Sequence, residues 1–351
     1  RGTGIDRLST MNFHRHAENP IFPLVADSWR CDVSANADVL LYQDEWRLYL
    51  RGNGRDLDGG HNASIGLFTC PQDSFDGVTW QEYAGNPVLT QGEPGSIDDF
   101  GPLDPSVLVA DDQLLMYYTA VRQGNPLNEQ SPSGRGSSWG HATKSVALAV
   151  SDDGLIFQRR GDDAVVPHFA AAPEVLSWND EYWMFYSALN EIGGTDVHLI
   201  RSTDPFRFDS SDAFSRRVFS PGGEGSWDAI CVTTPRIFRD NDLWYMVYAG
   251  SNVHEDTPWY FGVAASRDLV HWTRYPGNPV FERGAAGAWD DCGIWYGTTV
   301  KVEGTYYMWY EGRSCGEPRQ VADRRPGGRG LGGKSQVGLA TLRSETFFFT
   351  L

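Results

Sequence analysis

Long hydrophobic runs are missing from this chain. No stretch approaches the roughly eighteen apolar residues that a membrane-spanning helix needs. Positive charge is scarce as well. Lys and Arg total 29 against 46 Asp and Glu, a formal net charge of −17. Such a surface repels phosphate backbones and anionic lipid, so no nucleic acid and no membrane surface is expected as a partner. Cysteine is sparse and odd in number: Cys31, Cys70, Cys231, Cys292 and Cys315 lie far apart without metal-ligand spacing. Free thiols in a reducing, cytoplasmic compartment are the expectation. The chain opens at Arg1 with no hydrophobic leader run. There is no Gly-x-Ser-x-Gly elbow, phosphate loop or dinucleotide fingerprint, so serine-hydrolase and nicotinamide chemistry lack support. A sustained 3.6-residue apolar period is also absent, and 39 Gly and 19 Pro punctuate the 351 residues, so long helices are not expected.

What is plentiful is aromatic side chain, at 13%. Much of it sits in one phrase that occurs five times, an acidic or Gly residue followed by a strand ending in an aromatic-rich stretch. The copies are Asp44–Leu50, Asp112–Tyr118, Asp180–Tyr186, Asp242–Tyr248 and Gly304–Tyr310. Their ends at 50, 118, 186, 248 and 310 are spaced by 68, 68, 62 and 62 residues. A near-constant period in an all-strand pattern means one supersecondary unit repeated around an axis. Before each copy stands a second strand: Asn36–Leu41, Asp104–Val109, Ala172–Leu176, Thr234–Phe238 and Tyr296–Val300. Turn residues such as Gln43-Asp44 and Asn179-Asp180 join the two into a hairpin. A third strand follows, and short edge strands such as Trp80–Tyr83 and His271–Arg274 end four of the units. The pattern predicts an all-β, five-bladed β-propeller with four antiparallel strands per blade. One domain fills residues 1–351, with blades near 30–95, 96–165, 166–226, 227–288 and 289–345. Two Gly- and Pro-rich insertions, 121–144 and 313–335, interrupt the second and fifth blades as lids or plain surface loops.

In a propeller the first strand of each blade lines the channel, and alternate residues on it share a face. Aligning the turns places Asn36, Asp104, Ala172, Thr234 and Tyr296 in one ring. Two residues on lie Asp38, Ser106, Glu174, Arg236 and Thr298. Three consecutive blades thus each send a carboxylate to the channel: Asp38, Asp104 and Glu174. Acids that converge cannot all ionise cheaply, and Arg236 lowers its nearest neighbour, so one becomes a donor and another a base or nucleophile. The alternative is that these acids bond backbone amides or hold a channel cation. A second set lies just upstream, where Gly225–Asp228 and Gly287–Asp291 are copies of one turn. Asp32, Asp228 and Asp291 are candidates for binding hydroxyls, and Trp289, Trp295 and Tyr296 for stacking on or contacting a ring. The repetition equally fits a turn kept for blade geometry. His141, before a third strand, is a further binding candidate, and no His shows metal spacing.

These residues resemble the five-bladed glycoside hydrolases, the superfamily holding families 43, 32, 62, 68, 117 and 130. Ala172-Pro173-Glu174-Val175 ahead of a Tyr-rich strand is similar to the family 43 phrase Ala-Pro-Asp-Val. Leu103-Asp104-Pro105-Ser106-Val107 is similar to the Asp-Pro inner strand of families 43 and 32. The likeness runs over about residues 18–345. Asn36-Ala37 stands where family 43 has its first-blade Asp-Pro, and Ala171 where the family 32 acid precedes the proline. The acid/base set is therefore either rearranged or partly lost. The resemblance implies a glycosidase or related transferase acting on a small or oligosaccharide substrate, of the furanoside or anhydro-sugar kind. No cofactor is required, and a structural Ca²⁺ in the channel is compatible with relatives. In this assignment Asp38 is base or nucleophile, Asp104 orients the sugar and tunes its neighbour, and Glu174 donates the proton, with Arg236 in the subsite. Two rival readings share the fold: a cyclase or lyase acting on an aromatic or terpenoid metabolite, and a sugar-binding module without catalysis.

Overall fold

The computed structural model describes residues 12–55, 61–122, 143–161, 163–167, 170–208, 216–253, 258–315 and 334–351. The expected repeat is present as five small antiparallel sheets. Blade 1 runs β2 (Val33–Tyr42), β3 (Glu45–Arg55), β4 (His61–Pro71) and β5 (Gln81–Glu82). Blade 2 runs β6 (Gly101–Ala110), β7 (Gln113–Arg122), β8 (Thr143–Ser151) and β9 (Gln158–Arg159). Blade 3 runs β10 (Ala170–Trp178), β11 (Glu181–Leu189), β12 (Thr195–Ser202) and β13 (Arg216–Phe219). Blade 4 has β14 (Cys231–Asp240), β15 (Leu243–Ser251), β16 (Tyr260–Ser266) and β17 (Thr273–Arg274), with β18 (Phe281–Glu282) also on β16. Blade 5 has β19 (Gly293–Val302), β20 (Thr305–Arg313) and β21 (Ser335–Arg343). Its fourth strand is β1 (His14–Arg15), from the start of the chain, which pairs with β21 through His14↔Thr341 and Arg15↔Ala340. That exchange explains why the sequence displays edge strands in only four units. The ring is closed by hydrogen bonds between chain start and chain end. Among the described residues no helix is long and apolar enough to cross a membrane.

The repeated aromatic phrase has a packing reason. Each pair of adjacent blades encloses a large apolar cluster, five in all among the described residues, beside two clusters of three residues each. Between blades 1 and 2, for example, Tyr49, Ile65 and Leu67 meet Leu114, Met116 and Tyr118, all 0–1% exposed. The second strands are buried on both faces, so they read as continuous apolar runs; every residue of Leu243–Ser251 is buried. Removing that area from water is the main favourable term of the fold.

The terminal Tyr of the phrase is bound as well as buried. Tyr118, Tyr248 and Tyr310 donate to Asp98, Asp228 and Asp290 at 3.0, 3.2 and 3.0 Å. Each of these aspartates also takes an Arg Nε: Arg159 at 2.8 Å, Arg274 at 3.1 Å and, from β1, Arg15 at 2.9 Å. A buried carboxylate needs a countercharge and hydrogen bonds, and the triad supplies both. Blade 1 inverts the charges: Arg30 stands at the aspartate position and bonds Glu82 at 3.0 Å, with Leu50 in place of the Tyr.

Candidate active site

The five inner strands, β2, β6, β10, β14 and β19, touch in order around the hub. Each carries a break in register at the same place: between Ala35 and Asp38, Leu103 and Ser106, Ala171 and Glu174, Thr233 and Arg236, and Trp295 and Thr298. At that bulge the backbone is left-handed, with φ of 52° at Asn36, 56° at Asp104, 51° at Ala172, 48° at Thr234 and 55° at Tyr296. Non-glycine residues rarely adopt such angles, and five repetitions make the bulge part of the blade design. Its consequence is a correction to the strict alternation expected from the sequence. The residues at the bulge and those two further on form two layers with different duties.

The lower layer stitches blades together. An inner strand pairs on one side only, so its outward N–H groups need other partners. Asp38 Oδ2 accepts from Val107 N at 2.7 Å, Ser106 Oγ from Val175 N at 2.9 Å, and Glu174 Oε1 from Ile237 N at 2.8 Å. Thr298 Oγ1 donates to Ala37 O at 2.7 Å. Arg236, 1% exposed, lies at the centre. Its Nη1 is 2.6 Å from Glu174 Oε2 and 3.9 Å from Asp38 Oδ1. One cation therefore serves two carboxyls, that of Asp38 buried and that of Glu174 largely so. Burial pushes the Asp38 carboxyl up despite Arg236. Burial, with a smaller push from Asp38, raises Glu174 to about 7 against the pull of Arg236.

The sign of the linkage follows from the Glu174 shift. A carboxyl raised from 4.5 to about 7 binds its proton more tightly folded than unfolded. The stability it confers is complete below the unfolded value and fades as pH rises through the folded one. Glu174→Gln removes this titration. Relative to wild type, the variant is expected to gain on the order of 3 kcal/mol between pH 5 and pH 8. Chemical denaturation of both proteins at the two pH values measures the difference, and parallel pH curves would refute it.

The upper layer opens to solvent. Asn36, Asp104, Ala172, Thr234 and Tyr296 line a cavity of about 140 Å³, together with Trp295, Arg51, Lys144, Glu311, Arg313 and Ser335. Asp104 and Glu311 are the carboxyls of this wall, 6% and 7% exposed. Tyr296 hydrogen-bonds Asp104, and its ring lies under the Arg236 guanidinium at 4.8 Å, which joins the two layers. Asn36 Nδ2 donates to Glu311 Oε2 at 2.7 Å, and Arg51 Nη1 donates to Asn36 Oδ1 at 3.3 Å. Burial raises the Glu311 carboxyl above its ordinary value; the Ser335 hydrogen bond and Arg51 oppose this, and Asp104 adds to it.

Of the residues singled out in the sequence, Asp104, Trp295 and Tyr296 meet at this cavity. Asp38, Glu174 and Arg236 form the layer beneath, with their oxygens and nitrogens engaged as described. Asp228 is 1% exposed and bound by Ser226, Tyr248 and Arg274, so it belongs to the blade interior rather than to the channel. Asp291 accepts from Gly287 N and Cys315 N, both at 2.8 Å, and caps its own turn. Trp289 leans on Tyr310 with centroids 5.5 Å apart, and its ring fills the space above Gly312 and Gly338. Asp32 is half-buried, with its N–H on Asn53 O at 2.9 Å, outside the cavity wall. His141 and most of the two insertions lie outside the described residues.

Glu311 and Arg51 were not singled out, yet a signal existed. Both occupy the position just after the repeated phrase, which faces the bulge across the hairpin. That position is small and neutral in the other three copies: Thr119, Ser187 and Ala249. Thr119 and Ser187 spend their hydroxyls on Ala172 N and Thr234 N of the next blade. A charge there is the departure worth reading.

The layer around Arg236 does not suit a Ca²⁺. The Arg236 guanidinium already stands between Asp38 and Glu174, and a divalent cation beside it would meet a fixed like charge. Among the described residues no group of three or more His, Cys, Asp or Glu side chains could hold a metal ion.

No protein-family model matches the chain. An uncharacterised protein of Mycobacterium tuberculosis H37Rv is 27% identical over 285 residues, covering 78% of this chain and 85% of that protein. Among solved structures, a glycosyl hydrolase from Bacteroides ovatus has 17% identity and a TM-score of 0.64, covering 95% of this chain and 94% of its own. A β-1,2-mannobiose phosphorylase from Listeria innocua, in complex with β-1,2-mannobiose, has 15% identity and a TM-score of 0.66, covering 95% and 97%. By fold, this chain is a five-bladed β-propeller of the kind those glycoside-processing enzymes share.

Proposed function

We propose that the protein cleaves a glycosidic bond in the upper channel cavity, with Glu311 as proton donor and Asp104 as the facing carboxylate. The observation that carries this reading is one polar cavity holding two carboxyls in unlike environments. Glu311 is held toward its protonated form by burial, and Asp104 is bonded by the Tyr296 hydroxyl. Splitting two acids by environment is how carboxylate chemistry assigns donor and base. Trp295 offers an apolar ring face beside them. The solved neighbours of this fold support the reaction class: one is called a glycosyl hydrolase and another a β-1,2-mannobiose phosphorylase. Asp38 and Glu174 are assigned to the floor of the site, where they and Arg236 hold the bulges in place. Oligosaccharides of furanose or anhydro-sugar units are the proposed substrates.

Arg51, Lys144 and Arg313 share the cavity wall, so the acceptor can be water or an anion such as phosphate. The test is a panel of furanosides, anhydro-sugar oligosaccharides and β-mannosides, incubated with and without inorganic phosphate and read by product sugar. Release of a free sugar supports a hydrolase, and phosphate-dependent release of a sugar phosphate supports a phosphorylase. If an acid-dependent conversion of a non-sugar is found while every glycoside survives, the proposal fails. Tight binding of a sugar that stays intact overturns it too.

A further inference from the structure

Two half-buried cysteines sit side by side at the edge of blade 5. Cys292 is the residue before β19, the strand that bears Trp295 and Tyr296. Cys315 lies two residues beyond β20, the strand that bears Glu311 and Arg313. The hairpin ladder brings their backbones together: Cys292 N donates to Arg313 O at 2.8 Å, continuing the Gly293↔Arg313 pair. Cys315 N is fixed by Asp291 Oδ1 at 2.8 Å, and the carbonyl of Cys292 takes Arg283 Nη1 at 3.2 Å. The two thiols hydrogen-bond each other. Cys31 is also half-buried, but it lies in blade 1, and the other two differ. Cys70 and Cys231 are buried, with Cys70 Sγ on Pro71 O and Cys231 Sγ on Thr195 Oγ1.

We infer that Cys292 and Cys315 are a redox-active dithiol that closes to an intramolecular disulfide at the rim of the channel cavity when a low-molecular-weight disulfide oxidises it. The bond needs neighbouring backbones held in place, which the Cys292 N–Arg313 O and Cys315 N–Asp291 Oδ1 hydrogen bonds supply, and side chains that reach each other, as the thiol–thiol hydrogen bond shows. The chemistry is two exchanges. Cys292, as thiolate, attacks one sulfur of the small disulfide, forms a mixed disulfide and releases one small thiolate. Cys315 then loses its proton and attacks Cys292 Sγ, expelling the second small thiolate. Two protein thiols are oxidised, one small disulfide is reduced to two thiols, and the two protein protons end on those thiols. The order of attack follows from the surroundings. Burial and the Cys292 contact push the Cys315 thiol up to about 12, so it stays protonated while its neighbour reacts. Once Cys292 is capped, its hydrogen bond and charge no longer hold Cys315 back. The loop this bond closes is already closed by the β19–β20 ladder, so it adds little to global stability. Its effect is local, clamping the ends of the two strands that present Tyr296 and Glu311.

The test uses the full chain, reduced and then exposed to oxidised glutathione in native buffer. Intact mass is expected to fall by about 2 Da, the loss of two hydrogens. A non-reducing digest should yield one cross-linked peptide joining Cys292 and Cys315, reversible by reductant. In Cys315→Ser the first step proceeds and stops, leaving a stable glutathione adduct on Cys292; in Cys292→Ser no cross-link forms. A stable adduct on wild-type Cys292 without a cross-link overturns the inference. So does a bond to Cys31, or thiols that survive the oxidant unchanged. The wild-type mass measurement stands even if a variant fails to fold.

Discussion

Asp104→Asn and Glu311→Gln are each expected to lower turnover of the substrate found in the glycoside panel by about 10²–10⁴-fold, the usual worth of a positioned acid or base. Both substitutions keep shape and hydrogen-bonding capacity, so the thermal midpoint should change little. Asp38→Asn is expected to cost less than about tenfold, because its carboxylate faces Val107 N and Arg236 rather than the cavity. The pH profile gives a second handle. A donor raised by burial acts while protonated, so activity should decline as pH rises through the Glu311 value, and Glu311→Gln should lose that limb. Steady-state kinetics of the three variants decide the matter. If Asp38→Asn is the dead enzyme and Glu311→Gln retains full turnover, the chemistry sits in the lower layer and the roles proposed here are wrong.

The second large effect is on stability. Arg236→Met deletes the only cation paired, among the described residues, with Glu174 and Asp38. The buried Asp38 and the largely buried Glu174 then lose their countercharge, and breaking such a pair costs about 3–5 kcal/mol. The thermal midpoint should fall by about 5–15 °C at neutral pH. The loss should shrink near pH 5, where the two raised acids accept protons and no longer need the charge. Arg236→Lys keeps a cation but not the fork that also reaches Pro105 O and Pro173 O, so it should recover part of the loss. Scanning calorimetry at pH 5 and pH 8 checks all three statements. A midpoint for Arg236→Met equal to wild type at both pH values would mean that the hub is not held by this cluster.

The number of blades, their order and most strand positions were legible because a repeated unit writes its period into the chain. Phrases such as Asp112–Tyr118 and Asp242–Tyr248 carry the turn, the apolar run and the terminal Tyr in fixed order. The inner ring of Asn36, Asp104, Ala172, Thr234 and Tyr296 was legible for the same reason. The two-layer hub was not. Alternation along a strand assumes an unbroken ladder, and the left-handed bulge at each ring position breaks it. Only the folded chain shows that Asp38 and Glu174 are held by Val107 N, Ile237 N and Arg236 while Asp104 and Glu311 line the cavity.

The same division holds at the ends and the surface of the ring. Local pattern cannot reveal that β1 completes blade 5, since Arg15 and Asp290 are 275 residues apart and meet only when the ring closes. Nor can it separate the turn aspartates Asp228 and Asp291 from ligand-binding ones, because burial depends on what the neighbouring strands bring. The sequence by itself determined the repeat, the strand order and the supply of carboxyls near the axis, all of which are properties of residues close in the chain. Which carboxyls face the cavity and which are locked beneath it was decided by contacts between blades, where one strand's side chains satisfy the next strand's unpaired backbone.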